Sequence, residues 1–313
     1  MTICRRAFVT TLAATAAGLS SSLLAGRAAW GGEENLHLSS NTYPWGTFLG
    51  REGRTFQVDQ DACLAEVAAS GLQGLEPGIG EPVEIDTLAP LLKKHGLEMR
   101  SIYMNSDLHT AEQADASIAK IVAVARRAAD MGTRIMVTNP SPLQWGGQAD
   151  KSDAQLETQA AALNRLGSAL RKLGVTLAYH NHDMELRCAA REFHHMMVGT
   201  DPDLVTLCLD AHWIYRGASN SAVALWDIVK LYGQRVSELH IRQSRDQIWT
   251  EVLGEGDIDY PRLVAQLEAL DVRPLLVLEQ AVEAGSPHTL NAVEAHRASV
   301  AYARRVFAPL AKR

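Results

Sequence analysis

Residues 154–183 read AQLETQAAALNRLGSALRKLGVTLAYHNHD, and the repetition of this helix-to-strand unit along the chain decides the fold. Leucines recur at helical spacing and predict an amphipathic helix over 154–173. Gly174 follows as a helix stop. The run Thr176 to His180 is apolar, ends in polar residues, and predicts a buried strand. The leucines that share one helix face are Leu156, Leu163, Leu166, Leu170 and Leu173.

The same pattern of apolar run, loop and helix repeats from residue 35 onward and yields eight strand candidates. Eight alternating βα units predict an α/β fold, a (β/α)8 TIM barrel, in a single domain over 33–308. A doubly wound sheet would show a GxGxxG turn after its first strand, and this sequence has none there. The candidates are Leu36 to Ser40, Gly74 to Glu76, Met99 to Tyr103, Ile135 to Thr138, Thr176 to His180, Val205 to Leu209, Glu238 to Ile241 and Leu275 to Leu278.

Composition excludes several classes of function. The chain has 313 residues, 47% hydrophobic and 21% charged, which excludes a disordered, collagenous or coiled-coil protein. Its formal charge of −6 and the lack of a basic run argue against nucleic-acid binding. The four cysteines have no zinc-finger spacing and form no disulfide framework.

The N-terminus has the pattern of an export signal. Arg5 and Arg6 precede a mildly apolar stretch, and the small residues at Arg27-Ala28-Ala29 have the pattern of a cleavage site. We therefore expect residues 1–29 to be removed. The arginine pair followed by Phe8 resembles the twin-arginine type, which exports folded proteins to the periplasm or beyond. An uncleaved anchor is the alternative. The mature chain would carry 27 basic and 36 acidic residues, a charge of −9, three cysteines that we expect to be buried thiols, and no stable membrane span.

Polar residues follow the predicted strands at the end where a barrel places its active site. Asp210, His240 and Glu279 end strands six, seven and eight. With one residue from strand five they could surround a divalent ion, and this mixture of oxygen and nitrogen ligands suits Mn, Mg, Co or Zn. A carboxylate placed directly after a buried strand needs a partner, which favours a functional role for Asp210 and Glu279.

These residues lie in motifs that resemble the xylose-isomerase-like barrel superfamily, specifically its sugar phosphate isomerase/epimerase group, which includes inosose dehydratases. The resemblance spans about 35–308. It implies that Asp210, His240 and Glu279 bind a divalent metal, with Mn and Mg as the first candidates. Epimerases of this superfamily place a glutamate where His180 falls. The fourth ligand is therefore His180 or, if the loop folds back, Glu185. The motifs are YHNHDMEL (179–186), LDAHW (209–213), LHI (239–241), GEGDIDY (254–260) and LE (278–279).

The resemblance implies a metal-dependent sugar isomerase or epimerase acting through an enediolate on a keto sugar or related polyol. The alternative is a lyase of the inosose-dehydratase or 3-keto-glycoside type, and the second alternative is a noncatalytic sugar-binding barrel. Export favours an unphosphorylated sugar. The sequence does not determine the oligomeric state, and a homo-oligomer is one of the options. The candidate acids and bases are Glu279, His182 and Glu76, and the candidate substrate-binding residues are Tyr103, Asn139, Trp213 and Arg242.

Overall fold

A computed structural model describes residues 36–311 of the chain. Eight parallel strands form its centre, and the predicted export signal, residues 1–29, lies outside the described residues. None of the helices within 36–311 is long and apolar enough to cross a membrane. The strands are β1 (Leu38–Asn41), β2 (Gly74–Glu76), β3 (Ser101–Ser106), β4 (Ile135–Pro140), β5 (Thr176–His180), β6 (Val205–Asp210), β7 (Val236–Ile241) and β8 (Leu275–Leu278).

The strands run side by side in the order β2-β1-β8-β7-β6-β5-β4-β3, which brings β2 and β3 to the two edges of the sheet. Main-chain hydrogen bonds join these edges. The Leu75 amide donates to the Glu98 carbonyl over 2.9 Å, and the Tyr103 amide donates to the Pro77 carbonyl over 3.0 Å. The sheet is thereby a nearly closed ring, and the predicted TIM barrel is confirmed.

Ten helices lie within the described range, and they connect the strands and flank the barrel. The helix predicted over 154–173 is observed at Asp153–Arg171. Ser152 and Gln155 form a capping box at its start, and Gly174 follows its end with a φ of +70°. The helices are α1 (Thr42–Arg51), α2 (Gln60–Ala69), α3 (Pro82–His95), α4 (Ala111–Ala129), α5 (Asp153–Arg171), α6 (Arg187–Gly199), α7 (Ala211–Gly217), α8 (Ala222–Tyr232), α9 (Tyr260–Ala269) and α10 (Ala292–Val306).

Some strands extend further into the polar segments than the sequence predicts. The sequence predicts β3 at Met99 to Tyr103, but the strand runs to Ser106, because its pairing with β4 continues through Asn105 opposite Asn139. Main-chain hydrogen bonds do not depend on side-chain polarity, so a polar side chain does not end a strand. Several strands therefore present polar side chains while still paired.

The three cysteines in the described range are free thiols. Cys63 and Cys208 are buried as expected, whereas Cys188 is exposed, which corrects the expectation for that residue. Cys188 lies at the surface because residues 188–190, at the start of α6, leave the regular helix with positive φ angles, and its thiol faces the exposed Asp150 carboxylate at 3.3 Å.

Candidate metal centre and active site

Four side chains from neighbouring strands meet at the carboxyl end of the barrel. They are His180, Asp210, His240 and Glu279, and each offers one ligand atom within 4.8 Å of the others. The register of the sheet causes this, because Asp210 pairs directly with His240. The His180 Nε2 lies 3.8 Å from the Asp210 Oδ2, and the His240 Nδ1 lies 3.6 Å from the Glu279 Oε1. All four residues are buried, with at most 6% of any of them exposed.

Several polar atoms of this cluster lack a hydrogen-bond partner within residues 36–311. They are both ring nitrogens of His180, the Nδ1 of His240 and the Oδ2 of Asp210. Burying a polar group without a partner is costly, so such atoms call for a ligand. Two nitrogen donors and two carboxylates suit a divalent ion such as Mn²⁺, Mg²⁺, Co²⁺ or Zn²⁺. The residues present therefore fit the metal that the resemblance implies.

Local structure fixes the direction of the Asp210 carboxylate. Its Oδ1 accepts a hydrogen bond of 2.8 Å from the Trp213 amide and thereby caps α7. The adjacent Asn181 side chain bridges β5 and β6 through two 3.2 Å bonds to the main chain of Asp210. Because Oδ1 is engaged at the helix, Oδ2 is the oxygen free to face the cluster.

Two carboxylates stand behind His240, on the side away from the cluster. The His240 Nε2 lies 3.1 Å from the Glu76 Oε1 and 3.2 Å from the Glu238 Oε1. The Ser101 hydroxyl donates to the other Glu76 oxygen over 2.9 Å. Burial, together with the neighbouring Glu76 carboxylate, raises the pKa of Glu238 well above its usual value. Glu76, a sequence candidate for proton transfer, is fully buried here and contacts the imidazole instead.

The Glu279 carboxylate is held from two sides. The Asn41 side chain donates to its Oε1 over 2.5 Å, and the Arg242 guanidinium donates to its Oε2. Burial opposes ionisation, but the charges of Arg242 and His240 prevail and hold the pKa of Glu279 well below its usual value. Glu279 is therefore a carboxylate at neutral pH, able to bind a metal or to accept a proton. Arg242, expected to contact substrate, is only 1% exposed and contacts Glu279.

The structure distinguishes His180 from Glu185, the two candidates for the ligand from strand five. Glu185 accepts hydrogen bonds from the Asn139 side chain at 3.1 Å and from the His182 amide at 2.8 Å. Within the described range, the groups of possible ligands include His180 but not Glu185. Burial raises the pKa of Glu185 to about 7. Asn139, another expected substrate contact, is fully buried and also donates to the His180 carbonyl over 3.0 Å.

Aromatic rings surround the cluster. The Tyr103 ring lies 5.4 Å from that of His180, and the His182 ring lies 4.8 Å from His180 and 5.6 Å from Trp213. Sequence reasoning missed Trp249, which stacks against the Arg242 guanidinium at 4.3 Å. Trp249 ends a short hairpin, Ser244–Arg245 paired with Ile248–Trp249, whose two-residue strands are too short for a periodic signal. The sequence feature that could have identified Trp249 is its position, as an aromatic residue soon after strand seven.

Comparison with known proteins places this geometry in a family. The model of the xylose isomerase-like TIM barrel family matches residues 64–306. The chain belongs to this family. It is 26% identical over 263 residues to an inosose dehydratase of Clostridium perfringens, a match that covers 74% of this chain and 84% of that enzyme.

Solved structures share the fold. A sugar phosphate isomerase/epimerase from Parabacteroides distasonis superimposes with a TM-score of 0.68 at 20% identity, covering 88% of this chain and 96% of that one. A xylose isomerase-like TIM barrel protein from Mycobacterium smegmatis, solved in complex with magnesium, also has a TM-score of 0.68, at 15% identity, with 88% and 98% covered. The proteins similar to this chain thus include an inosose dehydratase by sequence and an L-ribulose 3-epimerase by fold.

Proposed function

We propose that the protein is a divalent-metal-dependent lyase that removes the proton beside the carbonyl of a keto sugar and eliminates a substituent from the next carbon. The observation that carries this proposal is that His180 lies in the cluster. The resemblance described above implies a glutamate at this position in epimerases. A reaction that moves a proton between two opposed glutamates has only Glu279 available here. Elimination needs one strong base and a group that assists the leaving oxygen.

His180, Asp210, His240 and Glu279 would hold the metal, for which Mn²⁺ or Mg²⁺ is our first expectation. Once bound, the metal would polarise the carbonyl and adjacent hydroxyl of the sugar and so acidify the neighbouring C–H bond. Glu279, ionised beside Arg242, accepts that proton. His182 is adjacent to the cluster and its buried Nδ1 has no hydrogen-bond partner among the described residues, which supports a role for it in assisting the leaving oxygen.

Glu76 and Glu238 take a positioning role in this proposal. Both contact the Nε2 of His240, so a proton on Nε2 is held there and Nδ1 remains free to bind metal. Hydrogen bonds of this kind fix the tautomer and orientation of a metal-binding histidine. We therefore assign Glu76 to the support of His240 rather than to proton transfer.

Isomerisation or epimerisation is the second candidate. It shares the first step, in which Glu279 takes the proton, and the neutral His182 imidazole could then relay a proton from solvent to another face or carbon of the sugar. The observation in its favour is that His182 lies close to the cluster, since its ring is 4.8 Å from that of His180.

The test uses the metal-loaded protein, an inosose and a 3-keto-glucoside, followed by NMR in heavy water. We expect an unsaturated product or release of the substituent, and Glu279→Gln should abolish it. Deuterium incorporation with an epimeric or isomeric product would instead establish the second candidate. A protein that binds sugar but neither exchanges protons nor releases product would be a noncatalytic barrel, which would refute both.

We also propose that residues 1–29 direct the protein out of the cytoplasm, because Arg5 and Arg6 precede the apolar stretch. Phosphorylated sugars are mainly cytoplasmic, so export favours an unphosphorylated substrate. Cell fractionation of the full-length chain tests this. Replacing both arginines by lysine should retain the protein in the cytoplasm, and unchanged periplasmic recovery of that variant would contradict the twin-arginine route.

A further inference from the structure

Four aromatic side chains form what we call the aromatic rim, namely Tyr43, Trp145, Trp213 and Trp249. Trp249 is buried and touches two other members, with ring centroids 6.4 Å from Tyr43 and 5.8 Å from Trp213. His182 links Trp213 to Trp145 at 5.6 and 5.3 Å. The rim thus continues outward from the candidate metal centre. Two of its members are half exposed, Tyr43 at 48% and Trp145 at 51%.

Trp145 lies further from the candidate metal centre than His182 does. The His182 ring contacts those of His180 and Trp145, at 4.8 and 5.3 Å between centroids, and so separates Trp145 from the cluster. A monosaccharide bound at the cluster would therefore meet His182 first and leave the exposed surface of Trp145 to a group attached to that sugar.

The exposure of Trp145 is not explained by packing. Among the other tryptophans of the described range, Trp45 is fully buried and Trp226 is half buried on α8. Trp145 instead stands in the loop between β4 and α5 with His182 as its neighbouring ring. Exposed apolar surface larger than a single side chain marks ligand-binding grooves, and the aromatic rim exposes two rings, those of Tyr43 and Trp145. Uncharged aromatic rings suit the apolar C–H faces of a sugar, whose hydroxyls point to the sides.

We propose that Trp145, with the rest of the aromatic rim, forms a subsite for a second ring, so that the substrate is a glycoside rather than a free monosaccharide or a free inosose. The reacting keto sugar would lie at the metal centre, and the ring joined to it would stack on Trp145. This inference rests on the proposed function for the identity of the reacting ring. The subsite itself is tested by binding alone.

The experiment compares glucose, methyl glucoside and cellobiose, which lack the keto group and do not react, by calorimetry with the manganese-loaded protein. We expect cellobiose to bind about ten times more tightly than methyl glucoside, the gain of one aromatic stacking contact. Trp145→Ala should reduce the ratio of these two affinities to near one, and Trp145→Phe should restore most of it. Trp226→Ala is the matched control and should keep the wild-type ratio.

Equal affinities for cellobiose and methyl glucoside in the wild-type protein, or no detectable binding of cellobiose, would overturn the subsite. If Trp145→Ala left the ratio of the cellobiose and methyl glucoside affinities unchanged, that result would overturn the subsite as well. Turnover is read separately, with 3-keto-glucose and a 3-keto-disaccharide. Loss of turnover on both, with the binding ratio intact, would refute the proposed lyase and leave the subsite standing.

Discussion

Asp210 uses its two carboxylate oxygens for different tasks. Oδ1 caps α7. Oδ2 has no hydrogen-bond partner among the described residues and lies 3.8 Å from the His180 Nε2 and 3.6 Å from a guanidinium nitrogen of Arg242. An asparagine at this position would still cap the helix, because asparagine is as good an N-cap as aspartate. Asp210→Asn should therefore fold normally but lose metal affinity by more than about 100-fold, since even outer partners of a metal ligand contribute about 10- to 100-fold. Calorimetric titration with Mn²⁺, or elemental analysis after dialysis, measures this.

Asp259→Asn is the matched control for that substitution. Asp259 also caps a helix, accepting from the Arg262 amide at 3.0 Å at the start of α9, but it lies outside the cluster and is exposed. We expect wild-type metal content in this control. Full metal occupancy in both variants would refute Asp210 as a ligand.

Glu76 offers a test of how His240 is held. Its carboxylate lies 3.1 Å from the His240 Nε2 and does not reach the substrate side of the ring. Glu76→Ala should weaken Mn²⁺ binding about 10- to 100-fold, whereas Glu76→Gln, which keeps an acceptor oxygen, should recover much of it. Glu251→Ala removes another buried glutamate, one bonded to Thr289, as a control. If Glu76→Ala bound Mn²⁺ like wild type but lost turnover, a direct catalytic role would replace the positioning role.

At the residue scale, the sequence predicted that Asp210, His240 and Glu279 come together, because each follows a strand whose apolar run is easily recognised. The sequence did not decide whether His180 or Glu185 is the ligand from strand five, because the turn after β5 has no periodicity. The choice depends on the Asn139 side chain and the His182 amide, which bind the Glu185 carboxylate. Those contacts arise from tertiary structure.

At the scale of elements, the hairpin after β7 carries Trp249 and depends on a close approach of two loops. A Cβ at Gly256 would overlap the Ser244 carbonyl oxygen, whereas a Cβ at Gly254 would meet only the Val252 oxygen, at 4.0 Å. Gly256→Ala should therefore displace the hairpin and destabilise the fold by about 1–3 kcal/mol. It should also weaken sugar binding, because Trp249 supports Arg242. Gly254→Ala should do neither, and urea unfolding with sugar titration measures both effects.

The packing of α10 against α1 contains a buried histidine. His296 stacks on Trp45 with centroids 4.0 Å apart, and its Nδ1 lies 2.8 Å from the Ala292 carbonyl oxygen. Burial lowers the pKa of His296 to about 4. The unfolded chain therefore binds more protons between pH 4 and about 6.5, so this stability contribution is complete above pH 6.5 and declines as the pH falls toward 4.

His296→Phe keeps a ring on Trp45 and removes the titrating group. Its free energy of unfolding should fall less steeply below pH 6.5 than that of the wild type, by up to about 1.4 kcal/mol per pH unit. Urea unfolding at pH 4.5, 5.5, 6.5 and 7.5 checks the slope. His288→Phe, which removes an exposed histidine, serves as the control. Identical slopes in the wild type and His296→Phe would show that His296 accepts a proton without unfolding.

At the scale of the whole molecule, the barrel was predictable because its signal is distributed over eight repeats. An error of two or three residues at the ends of one strand, such as β3, leaves the topology unchanged. The aromatic rim was only partly predictable, since Tyr43, Trp145, Trp213 and Trp249 come from four connections that meet only when the ring closes. Closure is a property of the complete sheet, so no single window of sequence contains the rim.

Closure would also couple the proposed metal to the stability of the whole fold, because the four candidate ligands come from β5, β6, β7 and the end of β8. An ion that binds only the folded chain stabilises it by about 2.7 kcal/mol at 100 times its dissociation constant. For a domain of this size that raises Tm by roughly 5 °C. Calorimetry with Mn²⁺ should show this rise in wild type and Asp259→Asn, and chelation should reverse it. Asp210→Asn should show none, because the shift depends on the ligand and not on general ion binding. An equal rise in Asp210→Asn would place the stabilising ion elsewhere in the protein.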